Sequence, residues 1–306
     1  METTVNTKPT TTSENIPSDK FKIVCYYSSW AQYRVGDGEL AAHEIDPYVC
    51  THLIYCFIGL DSTNYDSIEV LDEWGDLPSE DGGNNDGIGK FITLRDSNPD
   101  LKLLVAIGGS SQNSSMYSIM AANASLRSSF IDSAVEFIDK YGFDGMDFVW
   151  EYPANNGGSP SDKENFVLLI QEMKEEFNKY GWILSAAVGM RKEIVESAYD
   201  IPALSESLDF LNLLTFDFHD YRENETGHHS QFYAMPDDED MFLNVNASVG
   251  LWLEGGADPE KLILGIPSYS KTFEVEEDGG EIGEPSLGPG INGSITQEMV
   301  KIKEVF

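Results

Sequence analysis

Three carboxylates crowd the segment Phe143–Pro153, FDGMDFVWEYP: Asp144, Asp147 and Glu151. Side chains on an extended strand alternate, so Asp147, Val149 and Glu151 share one face. A row of acids on an inward strand face is costly unless paired, which makes it a candidate for acid–base chemistry. The competing reading is a satisfied acid pair at a strand end. Polar and aromatic residues also gather where other apolar runs stop: Ser28-Ser29-Trp30, Gly108-Gly109-Ser110, Glu151-Tyr152-Pro153 and Asp217-Phe218-His219. His228-His229 lies in a polar stretch without ligand spacing and reads as a solvated loop, not a metal site. The run Asp237–Asp240 lacks the spacing and turn glycine of a calcium loop and reads as solvated.

The elements that must carry these groups are legible as short β-rich runs between longer helical patterns. Lys22–Tyr27, His52–Ile58, Lys102–Ile107, Asp144–Trp150, Ile183–Val188, Phe210–Thr215 and Leu262–Ile266 read as buried strands. Ser125–Tyr141 begins on a capping serine and puts Phe130, Ala134, Phe137 and Ile138 on one face. Asp162–Tyr180 does the same with Phe166, Ile170, Met173 and Phe177, and stops at Gly181. Such alternation means parallel strands with crossover helices, in an open doubly wound sheet or a (β/α)8 barrel. No glycine-rich phosphate loop follows the first strand, and chemistry gathered at many strand ends is the habit of the barrel. Seven strands can be counted; after Ile266 the chain is Gly/Glu-rich and weakly patterned, and a closed barrel needs an eighth.

The chain has 306 residues, with 41 % apolar and 24 % charged, enough to bury a large core. Its 53 acidic residues against 19 basic ones give a net charge of -34. That balance argues against nucleic acid and anionic membrane surfaces, since no basic patch is available to neutralise phosphates. Residues 1–20 are Thr/Ser/Pro-rich without apolar periodicity and read as a flexible tail or linker, with no secretory signal as they stand. No apolar stretch nears the ~18 residues of a membrane span. The three cysteines, Cys25, Cys50 and Cys56, leave at least one thiol unpaired and their connectivity open. Sequons at Asn113, Asn123, Asn224, Asn246 and Asn292 permit secretion.

The acidic segment resembles the active-site signature of glycoside hydrolase family 18, the chitinases, D-G-x-D-x-D-W-E-Y-P. Tyr26–Arg34 (YYSSWAQYR), Cys50–Leu60 (CTHLIYCFIGL), Leu103–Gly109 (LLVAIGG), Asp162–Ile170 (DKENFVLLI), Leu208–His219 (LDFLNLLTFDFH) and Leu262–Tyr269 (LILGIPSY) resemble further family blocks, in family order. The animal chitinase and chitinase-like branch fits best. The resemblance implies one barrel domain over residues 21–306, C-terminally incomplete, with an α/β insertion begun at about 268. It also implies a Cys25–Cys50 disulfide, an extracellular monomer, no cofactor or metal, and chitin or chito-oligosaccharides as the partner.

In the family mechanism the residue matching Glu151 protonates the glycosidic oxygen, and the substrate's own N-acetyl oxygen attacks, so the two-carboxylate scheme does not apply. The resemblance assigns catalysis to Glu151, Asp147 and Asp144. It assigns sugar binding to Tyr27, Trp30, Phe57, Glu73, Trp74, Gly108, Gly109, Ser110, Ser111, Tyr152, Leu214, Thr215, Phe216, Asp217, Tyr269 and Lys271. The chain departs from the family where it matters: the acetamide-holding Asp is Val149 and the Tyr is Phe216. Ser110 stands where a stacking Trp is usual, and Lys271 replaces an Arg and loses its planar fork. Losing one well-placed electrostatic stabiliser typically costs about 10²–10³ in rate. The expectation is therefore a chitin-binding relative with impaired hydrolysis. A slow chitinase and a secreted signalling or structural relative with a vestigial cleft are the alternatives.

Overall fold

The computed structural model describes residues 21–236, 238, 240–276 and 281–290. The stretch 1–20, the Asn292 sequon, and Asp237 and Glu239 of the acidic run lie outside the described residues. Seven parallel strands lie side by side in chain order: β1 (Val24–Ser28), β2 (His52–Leu60), β3 (Lys102–Gly108), β4 (Gly145–Val149), β5 (Ile183–Val188), β6 (Phe210–Leu213) and β7 (Leu262–Leu264). The sheet is strongly curled. His52 on β2 meets Phe210 on β6 edge to face at 5.4 Å, whereas four strand spacings in a flat sheet would hold them about 19 Å apart. The result is a half-barrel of the (β/α)8 type. Among the described residues β1 and β7 do not pair with each other. Beyond residue 268 these residues show a short antiparallel pair, Phe273–Glu274 with Gly288–Pro289.

Strand alternation divides the core into two layers. Ile54, Cys56, Leu104, Ala106, Val149, Ala187 and Phe210 point into the half-barrel. Their sequence neighbours, including Leu53, Tyr55, Leu103, Val105, Met146, Phe148, Leu184 and Leu211, point outward and pack with the helices. The larger outer layer receives the apolar stripes of helices Ala124–Tyr141 and Asp162–Phe177, with Phe130, Ala134, Phe166 and Ile170 all buried. The first of these helices begins one residue before the expected Ser125. Its cap is Asn123, whose side chain accepts the N–H groups of Ser125 and Leu126. The second ends at Phe177, short of the expected Tyr180. Cys25 on β1 is disulfide-bonded to Cys50 just before β2, and Cys56 is free and buried.

Two strand ends are drawn tightly together at the mouth of the half-barrel. Gly108 has φ +108°, and a Cβ there would stand 2.1 Å from the carbonyl oxygen of Val149. The same oxygen accepts the N–H of Gly109 at 2.8 Å. Gly142, which ends helix Ala124–Tyr141, also has positive φ, but a Cβ there would meet nothing within 4 Å. Gly142→Ala should therefore cost only the backbone term of about 1–2 kcal/mol. Gly108→Ala must also part β3 from β4 and should cost clearly more, about 2–4 kcal/mol. Urea unfolding of the two variants checks the order; equal losses would contradict the close approach.

Candidate active site

Asp147 is fully buried inside the half-barrel, where three other strands each supply it a donor. Its Oδ2 accepts the Tyr26 hydroxyl of β1 at 2.8 Å. Its Oδ1 accepts Ser185 Oγ of β5 at 2.6 Å and Asn212 Nδ2 of β6 at 3.0 Å. Burial nevertheless outweighs these hydrogen bonds and holds the carboxyl at about 6. Val149, one turn of the alternation higher, lies among Cys56, Ala106 and Ala187, an apolar setting that offers no charge to its neighbours.

Glu151 follows β4 at the carboxyl end of the sheet and is partly exposed. Burial, then the nearby Asp217 carboxylate, raise its proton affinity, and a hydrogen bond with Tyr152 opposes them. The loop carrying it is fastened by Ser114, whose Oγ accepts the Trp150 indole N–H at 2.7 Å and donates to the Tyr152 carbonyl at 2.9 Å. Glu151 is thus flanked on both sides by residues tied to one hydroxyl.

Across the mouth, Asp217 follows β6. Burial pushes its carboxyl up, but the close approach of His229 and the Tyr269 and Lys271 contacts together outweigh it and hold it at about 2. The Tyr269 hydroxyl lies at 2.6 Å, Lys271 Nζ at 3.0 Å and His229 Nδ1 at 3.5 Å. Phe216 stands beside this cluster with its ring edge-on to Tyr269 at 6.0 Å, and it carries no donor. The flanks are aromatic: Trp30 stacks on Phe57 at 6.0 Å, and Tyr33 lies 5.9 Å from Trp74. Glu73 and Trp74 are both exposed on a short turn, as are Ser110 and Ser111 after β3. The arrangement combines an acid of raised proton affinity, a fixed anion opposite it, and flat apolar surfaces suited to sugar faces.

Several expected site residues lie elsewhere. Asp144 precedes β4 at the far end from Glu151; it pairs with Arg95 at 2.6 Å and accepts the Leu103 N–H at 2.8 Å, a structural role. Tyr27 is outward-facing, because alternation on β1 sends Tyr26 into the half-barrel. Tyr27 packs against Tyr55 and Phe91 and donates to the Leu40 carbonyl. Thr215 is fully buried and ties the end of β6 to Gly265 by a 2.7 Å hydrogen bond, while half-buried Leu214 packs on the inner apolar layer. His229, expected in a solvated loop, packs its ring 5.0 Å from Tyr269. Arg191, whose Nη2 donates to the carbonyl of Phe218 at 2.8 Å and lies near that of Asp217, also went unflagged. Tyr26, Ser185 and Asn212 were missed too; the signal for the last two is a lone polar residue within an apolar strand.

The model of the Glycosyl hydrolases family 18 matches residues 22–305. A probable chitinase 2 of Drosophila melanogaster is 41 % identical over 276 residues, covering 90 % of this chain and 56 % of that protein. The chain thus spans little more than half the length of this relative. Catalytic domain 2 of the Ostrinia furnacalis group II chitinase superposes with a TM-score of 0.84 at 38 % identity, over 90 % of this chain and 71 % of that one. Human YKL-39, described as a pseudo-chitinase with retained chitooligosaccharide binding, superposes at 0.76 with 30 % identity, over 88 % and 72 %.

The buried Asp147 predicts a pH signature. Its folded-state value lies above that of an unfolded aspartate, so the folded chain binds the proton more tightly. The resulting stability is complete below about pH 4 and is lost as pH rises through about 6. Relative to Asp147→Asn, the wild type should lose on the order of 2–3 kcal/mol over that window. Chemical unfolding at several pH values checks this, and a pH-independent difference would contradict it.

Proposed function

From the premise that the chain belongs to glycosyl hydrolases family 18, we propose that it binds chito-oligosaccharides along the aromatic mouth of the half-barrel and hydrolyses them poorly. The observation that carries this reading is the pairing of Glu151 with two silent neighbours. Val149 sits in an apolar pocket and cannot ionise, accept a hydrogen bond or tune Glu151. Phe216 keeps a ring beside Tyr269 but has no hydroxyl to offer an acetamide carbonyl. A cyclic cation formed from the N-acetyl group would therefore lack both the charge and the donor that hold it in place. Stacking surfaces at Trp30, Phe57 and Trp74 and polar groups at Asp217, Tyr269 and Lys271 remain for binding. The likeness to a pseudo-chitinase that retains chitooligosaccharide binding supports the same division. A disulfide and exposed sequon asparagines at positions 113, 123, 224 and 246 support an extracellular location. No helix among the described residues is long and apolar enough to cross a membrane.

One observation favours a slow chitinase instead: burial and the Asp217 carboxylate both raise the proton affinity of Glu151, the direction a general acid needs. Two measurements separate the readings. Calorimetric titration with chitohexaose should show binding by the wild type; no heat would favour a vestigial cleft. Restoring Val149→Asp and Phe216→Tyr together should raise hydrolysis by about 10²-fold or more, since two losses within one unit need not multiply. Oligosaccharide release by the wild type at ordinary chitinase rates would overturn the proposal.

A further inference from the structure

The single helical turn Glu73–Asp76 points two residues in opposite directions. Trp74 faces out, 53 % exposed, and Asp76 faces in with no exposed surface. At the outer end Asp72 caps the turn by accepting the Gly75 N–H at 3.0 Å. Asp72 also takes the Tyr33 hydroxyl at 2.5 Å, which keeps the Tyr33 ring beside Trp74. At the inner end Asp76 Oδ1 accepts the Tyr55 hydroxyl at 2.5 Å. Tyr55 belongs to the outer face of β2 and packs against Tyr27 and Phe91 at 5.7 and 5.1 Å. The turn carrying Trp74 is thus mounted on the barrel at its inner end by the Asp76–Tyr55 contact, while Asn85 N–H donates to the Trp74 carbonyl at 2.9 Å and the Asn84 amide to the Glu73 carbonyl at 3.1 Å.

The Asp76–Tyr55 contact uses only one of the two carboxyl oxygens. Asp76 Oδ2 has no hydrogen-bond partner, and neither does the buried Nε2 of Gln32. Gln32 lies in the turn Ser29–Tyr33, which also carries Trp30 and Tyr33. The surroundings are filled: a Cβ on Gly87 would stand 2.6 Å from the Tyr55 hydroxyl, and one on Gly75 2.7 Å from Gln32 Nε2. A carboxyl with one bare oxygen in such a corner is tolerated as the neutral acid and costly as the anion. The titratable and charged groups facing it are Asp72, Tyr33, Tyr55 and Tyr27. Arg34 and Glu44 act on Tyr27, and Lys90 reaches Gln32 through Asn85. Burial, reinforced by Asp72, holds Asp76 at about 6 against the opposing Tyr55 hydrogen bond.

We propose that Asp76 is a positioning residue for Trp74: its neutral form keeps the turn seated on Tyr55, and its ionised form unseats the turn and weakens glycan binding. This rests on the reading that Trp74 stacks on a sugar. The sign follows from the folded-state value, since the neutral form is lost as pH rises through about 6. The test is calorimetric titration of chitohexaose at about pH 4.5 and about pH 7.5. The wild type should bind about three- to tenfold more tightly at the lower pH. Asp76→Asn, neutral at both, should lack that component, and Trp74→Ala should bind weakly without it. Tyr55→Phe keeps the carboxyl but removes its anchor, and should bring the low-pH affinity down to the wild type's high-pH value. Glu151 and Asp147 are present in the wild type and in Asp76→Asn alike, so their contributions cancel between them. An Asp76→Asn or Trp74→Ala variant that keeps the full wild-type pH dependence overturns the inference. Binding that does not change with pH overturns it while leaving the glycan reading intact; no binding at either pH removes both.

Discussion

The half-barrel is organised around one carboxylate. Asp147 on β4 collects a hydroxyl from β1, a hydroxyl from β5 and an amide from β6, so strands far apart in the order of the sheet converge on two oxygen atoms. A buried carboxylate is costly unless donors meet it, and a flat sheet could not deliver those donors. The curl of the sheet and the satisfaction of Asp147 are therefore one constraint seen from two sides. Removing the Tyr26 hydroxyl leaves the buried Oδ2 bare, and removing Ser185 or Asn212 leaves Oδ1 with a single donor, which couples the interior polar network to the architecture.

From that point the polar row of β4 rises towards solvent and is interrupted. Asp147 is enclosed, Val149 is apolar, and Glu151 emerges at the mouth opposite Asp217. The interruption divides the row into a lower acid with a structural environment and an upper acid whose proton affinity is set by burial and by Asp217 alone among the charges acting on it. Asp217 is itself held anionic by Tyr269, Lys271 and His229. The site is an acid facing a fixed anion, with the tuning link between the two levels of β4 absent.

Much of this was legible in residue order. Seven strands, the principal helices and the FDGMDFVWEYP segment follow from alternation, helical periodicity and apolar runs, which are local properties. The misreadings have particular causes. Asp144 carries the same charge as Asp147, yet it lies before the strand and meets Arg95; no spacing rule distinguishes an acid at the amino end of a strand from one at the carboxyl end. Tyr26 and Tyr27 are adjacent and chemically identical, and only the phase of the strand assigns one to the interior and the other to the helix layer. Phe57 shows the converse: alternation from Ile54 would send it outward, but the register shift between Cys56 and Ile58 against β3 turns it inward onto Trp30.

Residue order alone therefore established which chemistries are available: Glu151 as an acid, Val149 and Phe216 as residues unable to charge or donate, and aromatic side chains for stacking. Those are covalent properties of single residues and survive any folding. Which groups act on one another was settled by the curled sheet. Asp147 meets Tyr26 across 121 residues of chain and Asn212 across 65. Asp217 meets Tyr269 across 52. Phase, register and curvature depend on hydrogen bonds between strands, and so does the electrostatic state of every acid in the site.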